Sequence, residues 1–151
     1  MSDGSIIRAV SCGRVLIVHQ LHPPSFEQAK AECSAFHRLA EQWGSAVGMT
    51  ITDKLLPVIE PDARAVYRQS VEEGPPVDAW CGVVGGTMGM AVSIGSNIAS
   101  QIFLGRSKTP VRVFLSVPKA AAWLVETCDT GATAEEIVAA AMELRSRPLT
   151  G

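Results

Sequence analysis

The stretch from Val77 to Gly105 carries no charged side chain after Asp78, and this constrains the fold more than any other part of the sequence. Its first part, Val77 to Val84, is apolar and ends at Gly85-Gly86, a pattern typical of a strand that is covered on both faces. A helix is predicted after the glycines. Because a helix that faces water normally carries charged residues on its outer side, we expect both sides of this helix to be covered.

The predicted helix, Thr87 to Gly105, has a broad apolar arc, which we expect to pack on a sheet. That arc contains Met88, Ala91, Val92, Ile94, Gly95, Ile98, Ala99, Ile102 and Phe103. The opposite side is mostly small and polar, and we predict that it is a protein interface. Its members are Met90, Ser93, Asn97, Ser100, Gln101 and Leu104.

Two arrangements would cover this second side of the helix. The favoured one is self-association, as a homodimer or a higher oligomer, because symmetric homo-oligomers are common. In the alternative, the last predicted helix, Ala134 to Arg145, folds back over it and the chain stays a monomer. A membrane span is less favoured, since a stripe of small polar residues and a Gly-Gly break oppose it.

The composition indicates one globular domain over residues 1–151, with a core at about 5–126 and a terminal helix at about 133–146. Apolar residues make up 47% of the chain and charged residues 19%. The net charge of -2 gives no basic surface for nucleic acid. The four cysteines have no zinc-binding spacing, and the N-terminus has no signal-peptide pattern, so we expect a cytoplasmic protein with free thiols.

Hydrophobic patterns and capping signals predict five strands that alternate with helices after an initial hairpin. Ser25 with Gln28, and Thr133 with Glu136, have the spacing of capping boxes, and Gly44 is expected to end the first helix. Alternating strands and helices predict an α/β chain with a mainly parallel mixed sheet and an antiparallel first hairpin. The strands are predicted at Ser5–Val10, Arg14–Leu21, Ala46–Thr52, Val77–Val84 and Val111–Val117.

This β-β-α-β-α-β-α-β-α order resembles the STAS domain, the fold of bacterial anti-sigma-factor antagonists. The segment TPVRVFLSVPKAAAWLVE, in which a P-x-x-V-F strand leads into a helix ending in Ala-Trp-Leu, is similar to small STAS-like and CRAL-TRIO-like bacterial proteins. The resemblance covers about Ser5 to Glu126. It implies a STAS-like sandwich with an extra C-terminal helix, a regulatory role without catalysis, and a regulatory protein partner.

STAS antagonists are switched by phosphorylation of a Ser or Thr in an Asp-Ser-Ser-Gly-like turn after the third strand. The corresponding place here is Thr52 to Pro57, and the glycine of that turn is missing. Thr52 is the one residue there that could accept a phosphate group, so it is the candidate phosphosite.

Three motifs could indicate chemistry, and each has a simpler explanation. Gly85, Gly86 and Thr87 could bind an anion at a helix start, but they lack the other half of a dinucleotide fingerprint, and a tight turn is favoured. Cys81 has no base near it in sequence, so a buried, inert thiol is favoured. His19 and His22 are three residues apart and have no third ligand in view. We therefore expect no catalytic residue, cofactor or metal.

Three functional hypotheses follow from the sequence. The first is a non-enzymatic STAS-like interaction module that associates with itself through the uncharged helix. The second is a binding protein for an apolar, lipid-like small molecule held between the sheet and the helix from Met88 to Leu104. The third and weakest is an enzyme that uses Cys81, or an anion bound at Gly85-Gly86.

Overall fold

The computed structural model describes residues 7–52, 59–102 and 109–148, without the side chains of Ser100 and Gln101. Five strands and five helices are formed within these ranges. The strands are β1 (Arg8–Cys12), β2 (Val15–Gln20), β3 (Ala46–Thr52), β4 (Val77–Val84) and β5 (Val111–Phe114). The helices are α1 (Phe26–Trp43), α2 (Pro61–Glu73), α3 (Met88–Gln101), α4 (Val117–Thr127) and α5 (Ala134–Ser146).

The strands form one sheet in the order β1-β2-β3-β4-β5. β1 pairs with β2 in antiparallel orientation, and the three other pairs are parallel. The prediction of an α/β chain with a mainly parallel mixed sheet and an antiparallel first hairpin is confirmed. No helix within the described ranges is both long and apolar enough to cross a membrane.

The helix starts follow the predicted capping signals. Ser25 and Thr133 each accept a hydrogen bond from the backbone of the third helical residue, Gln28 and Glu136, whose side chains bond back to the cap. Such reciprocal bonds satisfy backbone N–H groups that have no partner within the helix. Gly44 ends α1 with a φ of 87°, a left-handed conformation that glycine adopts without steric cost.

Three predicted strands have bounds that differ from the structure: the first is found at Arg8–Cys12, the second is one residue shorter at each end, at Val15–Gln20, and the last is found at Val111–Phe114. The first strand continues through Cys12, and the hairpin turns at Gly13, which has a φ of 59°. The last strand ends at Phe114 instead of Val117, because the side chain of Ser116 caps α4 and accepts a hydrogen bond from the backbone of Lys119. An N-cap therefore ended this strand earlier than its alternating pattern predicted.

The two faces of the sheet are covered by different helices. We call the face under α4 and α5 the closed face, because side chains from five strands and two helices fill it as one apolar cluster. The fully buried members of this cluster include Val15, Ile17, Val47, Met49, Ile51, Cys81, Leu124, Ile137 and Leu144. The opposite face, which we call the cavity face, lies under α1, α2 and α3.

The terminal helix α5 packs on the closed face, where it contacts β1, β2 and α4. Its buried residues are Ile137, Ala141 and Leu144. Since α3 lies on the cavity face beside β5, α5 is on the other side of the sheet from α3. The predicted alternative, in which the terminal helix folds back over the uncharged helix, is therefore wrong.

Candidate functional site

A cavity of about 340 Å³ lies between the cavity face of the sheet and helices α1, α2 and α3. It forms because the three helices do not cover this face evenly. α1 packs on β2 and β3, α3 packs on β5, and α2 packs chiefly against α1. The middle of the face, above β3 and β4, is left open to the cavity.

The floor of the cavity consists of two glycines and one tryptophan. Gly48 on β3 and Gly82 on β4 place no side chain on this face, and the Trp80 indole lies against both. A Cβ atom on Gly48 would lie 2.6 Å from Cδ1 of Trp80, and one on Gly82 would lie 3.1 Å from Cη2. The indole can therefore lie flat along the sheet only because these two positions are glycine.

The walls of the cavity are mainly apolar and come from the sheet and all three helices. They are formed by Leu16, Val18, Phe36, Val71, Ile94, Ile98, Ile102 and Val113. Gln20, Thr52 and Val84, the last residues of three parallel strands, also line it. The cavity thus reaches the carboxyl ends of the strands, which is the usual ligand position in open α/β sheets.

A polar cluster of Gln20, Glu32 and Tyr67 interrupts the apolar lining. Tyr67 donates a hydrogen bond of 2.9 Å from its hydroxyl group to Oε1 of Glu32. The side-chain amide of Gln20 lies 3.2 Å from Oε1 and 3.0 Å from Oε2 of the same carboxyl group. One residue each from β2, α1 and α2 is therefore brought to a single point on the cavity wall.

Glu32 is the buried ionisable group of this cluster, with a relative exposure of 8%. Burial raises the pKa of its carboxyl group to about 7, while the hydrogen bonds from Gln20 and Tyr67 act in the opposite direction. A buried carboxyl group loses the hydration that stabilises its charged form, and the two neutral donors replace only part of it. Groups with such shifts in a cleft are candidates for function.

Burial also raises the pKa of two neighbours of Glu32, the Cys33 thiol and the Tyr67 hydroxyl group. The pKa of the Cys33 thiol is raised to about 11, and the Glu32 charge is a further cause of the raised pKa of Tyr67. Both groups are therefore neutral near pH 7. Next to them, Nε2 of His37 lies 2.9 Å from the Ser70 hydroxyl oxygen. His37 is half-buried, and this contact joins α1 to α2.

The predicted interface residues of α3 are exposed where the structure describes them. Met90 is 36% exposed, and Ser93 and Asn97 are also exposed; Asn97 borders the cavity. The side chains of Ser100 and Gln101 and the whole of Leu104 lie outside the described residues.

The apolar arc of α3 is only partly buried, which corrects the predicted packing. Met88 and Val92 are 55% and 63% exposed. A narrow strip of the helix touches the sheet, at Ala91, Ile94 and Gly95, and a Cβ on Gly95 would lie 3.3 Å from Cγ2 of Val113. Because α3 rests on the edge strand β5, the sheet beneath it is too narrow to cover the whole arc.

The turn before α3 contains the three residues predicted as a turn or an anion site. Gly86 has a φ of 113°, a conformation that L-residues with side chains rarely adopt. The Thr87 side chain accepts a hydrogen bond of 3.2 Å from the backbone N–H of Met90, so Thr87 is the N-cap of α3. This contact satisfies one of the N–H groups with which an anion would have to pair.

The candidate phosphosite Thr52 is at the end of β3 and is only 7% exposed. Its hydroxyl group lies 3.5 Å from the carbonyl oxygen of Val83, and its side chain lines the cavity. The rest of the turn that the STAS resemblance implicates, residues 53–57, lies outside the described residues.

The other candidate residues are not part of the cavity. Cys81 is buried on the closed face, as expected, and burial raises the pKa of its thiol. His19 is buried and its Nδ1 lies 3.2 Å from Nε of Arg8, whereas His22 is exposed after β2. Within the described part of the chain, no three His, Cys, Asp or Glu side chains are grouped as metal ligands.

The cluster around Glu32 was not recognised in the sequence, although a signal was present. Glu32 lies between Ala29 and Phe36 at spacings of three and four, so it falls on the apolar side of α1. A carboxyl group on the buried side of a helix needs partners. Its partners Gln20 and Tyr67 are distant in sequence, and no local pattern connects them with Glu32.

Comparison with known proteins does not assign this chain to a family. No protein-family model, no curated protein and no solved structure matches this chain.

Proposed function

We propose that this protein binds an apolar small molecule in the cavity between the sheet and helices α1, α2 and α3. The observation that carries the proposal is the cavity itself: about 340 Å³, mainly apolar walls, and one convergent polar cluster. Ligand pockets have this combination, with volumes of about 300 to 1,000 Å³. Of the three hypotheses raised by the sequence, this is the second.

A defect in packing is a poor explanation for this space. Protein interiors are close-packed, and the closed face of the same sheet buries Ile17, Met49 and Leu124 fully. On the cavity face, glycines on two neighbouring strands allow the Trp80 indole to lie against the sheet instead of projecting into the volume above it. Cys81, on whose thiol the enzyme hypothesis depends, is buried on the closed face and does not line the cavity.

Titration calorimetry with three straight-chain probes tests the proposal: octan-1-ol, octylamine and octanoate. We expect at least one probe to bind the wild-type protein with a stoichiometry of about one. Val71→Trp should abolish this binding, because Val71 lines the cavity. Val125→Trp, a matched change at a position on α4 that is 40% exposed, should leave it unchanged.

Two outcomes would contradict the cavity as a binding site. One is that none of the three probes binds the folded wild-type protein. The other is that Val71→Trp and Val125→Trp bind the probes equally well.

A second candidate function is self-association through α3, which the exposed side chains of Met88, Met90 and Val92 favour. Met88 and Val92 lie four positions apart on one side of a helix without charged residues, and they form a surface that a partner could bury at about 25 cal/mol per Å². The occupant we propose is a second copy of the chain. Closed two-fold pairing is the commonest arrangement for such a surface.

Light scattering on a sizing column tests this second function. We expect at least twice the chain mass of 16.0 kDa at tens of micromolar protein. The pair Met88→Glu and Val92→Glu should give a monomer. The matched pair Met142→Glu and Val125→Glu, on the closed-face helices, should leave the mass unchanged, because those positions are exposed on a different side. A monomeric wild-type protein would refute the proposal.

A STAS-like assignment remains a proposal that the order of elements supports. The chain has the order β-β-α-β-α-β-α-β-α with one further helix, α5. On this proposal the chain is a regulatory protein that docks a protein partner, and the cavity would add a ligand to that role. A pull-down with α3 variants, compared with the Val71→Trp variant, would separate partner docking from ligand binding.

A further inference from the structure

The cavity places one buried carboxyl group, that of Glu32, among apolar walls, and the surroundings of this group indicate the ligand. Its hydrogen-bond partners among the described residues are Gln20 and Tyr67, two neutral side chains that donate to the carboxyl oxygens. Among the residues that the structure describes, both donate to Oε1, whereas Gln20 alone donates to Oε2. Oε2 therefore keeps capacity for a further hydrogen bond.

No cation compensates the carboxylate within the described residues. No Lys, Arg or His nitrogen there comes within 4.0 Å of the Glu32 oxygens. Arg64 also lines the cavity, on α2, but it makes no ion pair with Glu32. The other ionisable groups that face this corner, Cys33 and Tyr67, are neutral near pH 7 and bring no positive charge.

A buried carboxylate without a counter-ion is costly, and a ligand that brings a positive charge would stabilise it. Most of the remaining lining is apolar, so most of such a ligand must be apolar too. We propose that the cavity binds an apolar amine, whose ammonium group pairs with the Glu32 carboxylate and whose hydrocarbon part lies over Trp80 and the glycines. This inference rests on the proposed ligand-binding function and names the chemical class of its ligand.

The raised pKa of Glu32 gives the inference a pH signature. An ammonium group needs the ionised carboxylate, and a primary amine itself stays protonated below pH 10. Because the pKa of Glu32 in the ligand-free folded protein is about 7, the ionised fraction of its carboxyl group falls from about nine tenths at pH 8 to about one tenth at pH 6. The affinity for an amine should fall by the same factor, about tenfold, while the affinity for an alcohol of equal length should stay constant.

The test compares octylamine, octan-1-ol and octanoate by titration calorimetry on the full chain. At pH 8 we expect octylamine to bind at least tenfold more tightly than octan-1-ol, and octanoate to bind most weakly. The Glu32→Gln variant keeps the shape of the side chain without its charge. In this variant, octylamine should bind no better than octan-1-ol, and the affinity for octan-1-ol should change by less than about threefold.

The possible results separate this inference from the function on which it rests. If no probe binds the wild-type protein, the proposed function itself fails. If octan-1-ol or octanoate binds as tightly as octylamine at pH 8, the cavity binds ligands but the amine class is wrong. If Glu32→Gln does not fold, the pH dependence of the wild-type protein decides: equal octylamine affinities at pH 6 and pH 8 would overturn the inference.

Discussion

The two faces of the sheet are formed by the same strands, but one face is a close-packed core and the other borders a cavity. Along β3, Val47, Met49 and Ile51 point to the closed face and are buried against α4 and α5. The alternate residues, Gly48, Thr50 and Thr52, point to the cavity face and line open space. Strand residues alternate between faces, so one strand can supply a close-packed core on one side and a binding cavity on the other.

The comparison also shows why the cavity does not collapse. A core closes when large side chains from facing layers interdigitate. On the cavity face, the positions of the central strand β3 are small or polar, and α2 is packed against α1 at a distance from the sheet. Stability therefore comes mainly from the closed face, and the cavity face can serve binding.

The largest expected effect is the difference in the free energy of unfolding between substitutions on the two faces of the sheet. Ile137→Ala on α5 removes a fully buried side chain from the closed face, and we expect a loss of about 3 to 5 kcal/mol in the free energy of unfolding. Ile98→Ala on α3 borders the cavity and should cost about 1 kcal/mol, because its side chain has fewer contacts to lose. Urea unfolding measures both. Equal losses would mean that the two faces contribute alike.

The pH dependence of stability should identify the buried carboxyl group. The folded chain holds a proton on Glu32 up to about pH 7, whereas the unfolded chain releases it near pH 4.5, so stability falls as pH rises between these values. From pH 5 to pH 8 this group should reduce the free energy of unfolding by about 2 to 3 kcal/mol.

Urea unfolding at pH 5 and pH 8 tests this for the wild-type protein and Glu32→Gln. The variant has no proton to lose there, so its stability should change less with pH, and at pH 8 it should be the more stable of the two. If both proteins show the same difference between the two pH values, Glu32 does not titrate as described.

A smaller effect concerns the turn that positions α3 over the cavity face. Gly86→Val should cost about 1 to 2 kcal/mol, because a branched residue is strained at a φ of 113°. Gly89→Val is the matched control, since a Cβ there meets nothing closer than 3.9 Å. We expect melting temperatures to fall for Gly86→Val alone. An unchanged melting temperature would show that the turn tolerates the side chain.

The smallest effect on stability is expected at the cavity floor. The Cβ of Gly48→Ala would displace the Trp80 indole, which can move into the cavity, so we expect a cost below about 1 kcal/mol. The displacement should change the fluorescence of Trp80, measured in a background with Trp43→Phe and Trp123→Phe. A large loss of stability with unchanged fluorescence would mean that the cavity floor is packed as rigidly as the closed face.

The sequence by itself determined the local structure of this protein. Capping boxes at Ser25 and Thr133, the helix end at Gly44, and the bounds of β3 and β4 were predicted correctly. These features depend on residues within a few positions of one another, so their physical causes are visible in a short window of sequence. The alternation of strands and helices then predicted the parallel sheet.

Only the tertiary structure decided the site. Glu32 and Tyr67 are 35 residues apart, and Glu32 and Gln20 are 12 apart, yet their side chains meet at one point. The position of α5 on the closed face and the exposure of Met88 and Val92 likewise depend on which helix covers which strand. The free energy of packing whole elements sets these positions, and it is a sum over contacts between distant parts of the chain that no local pattern records.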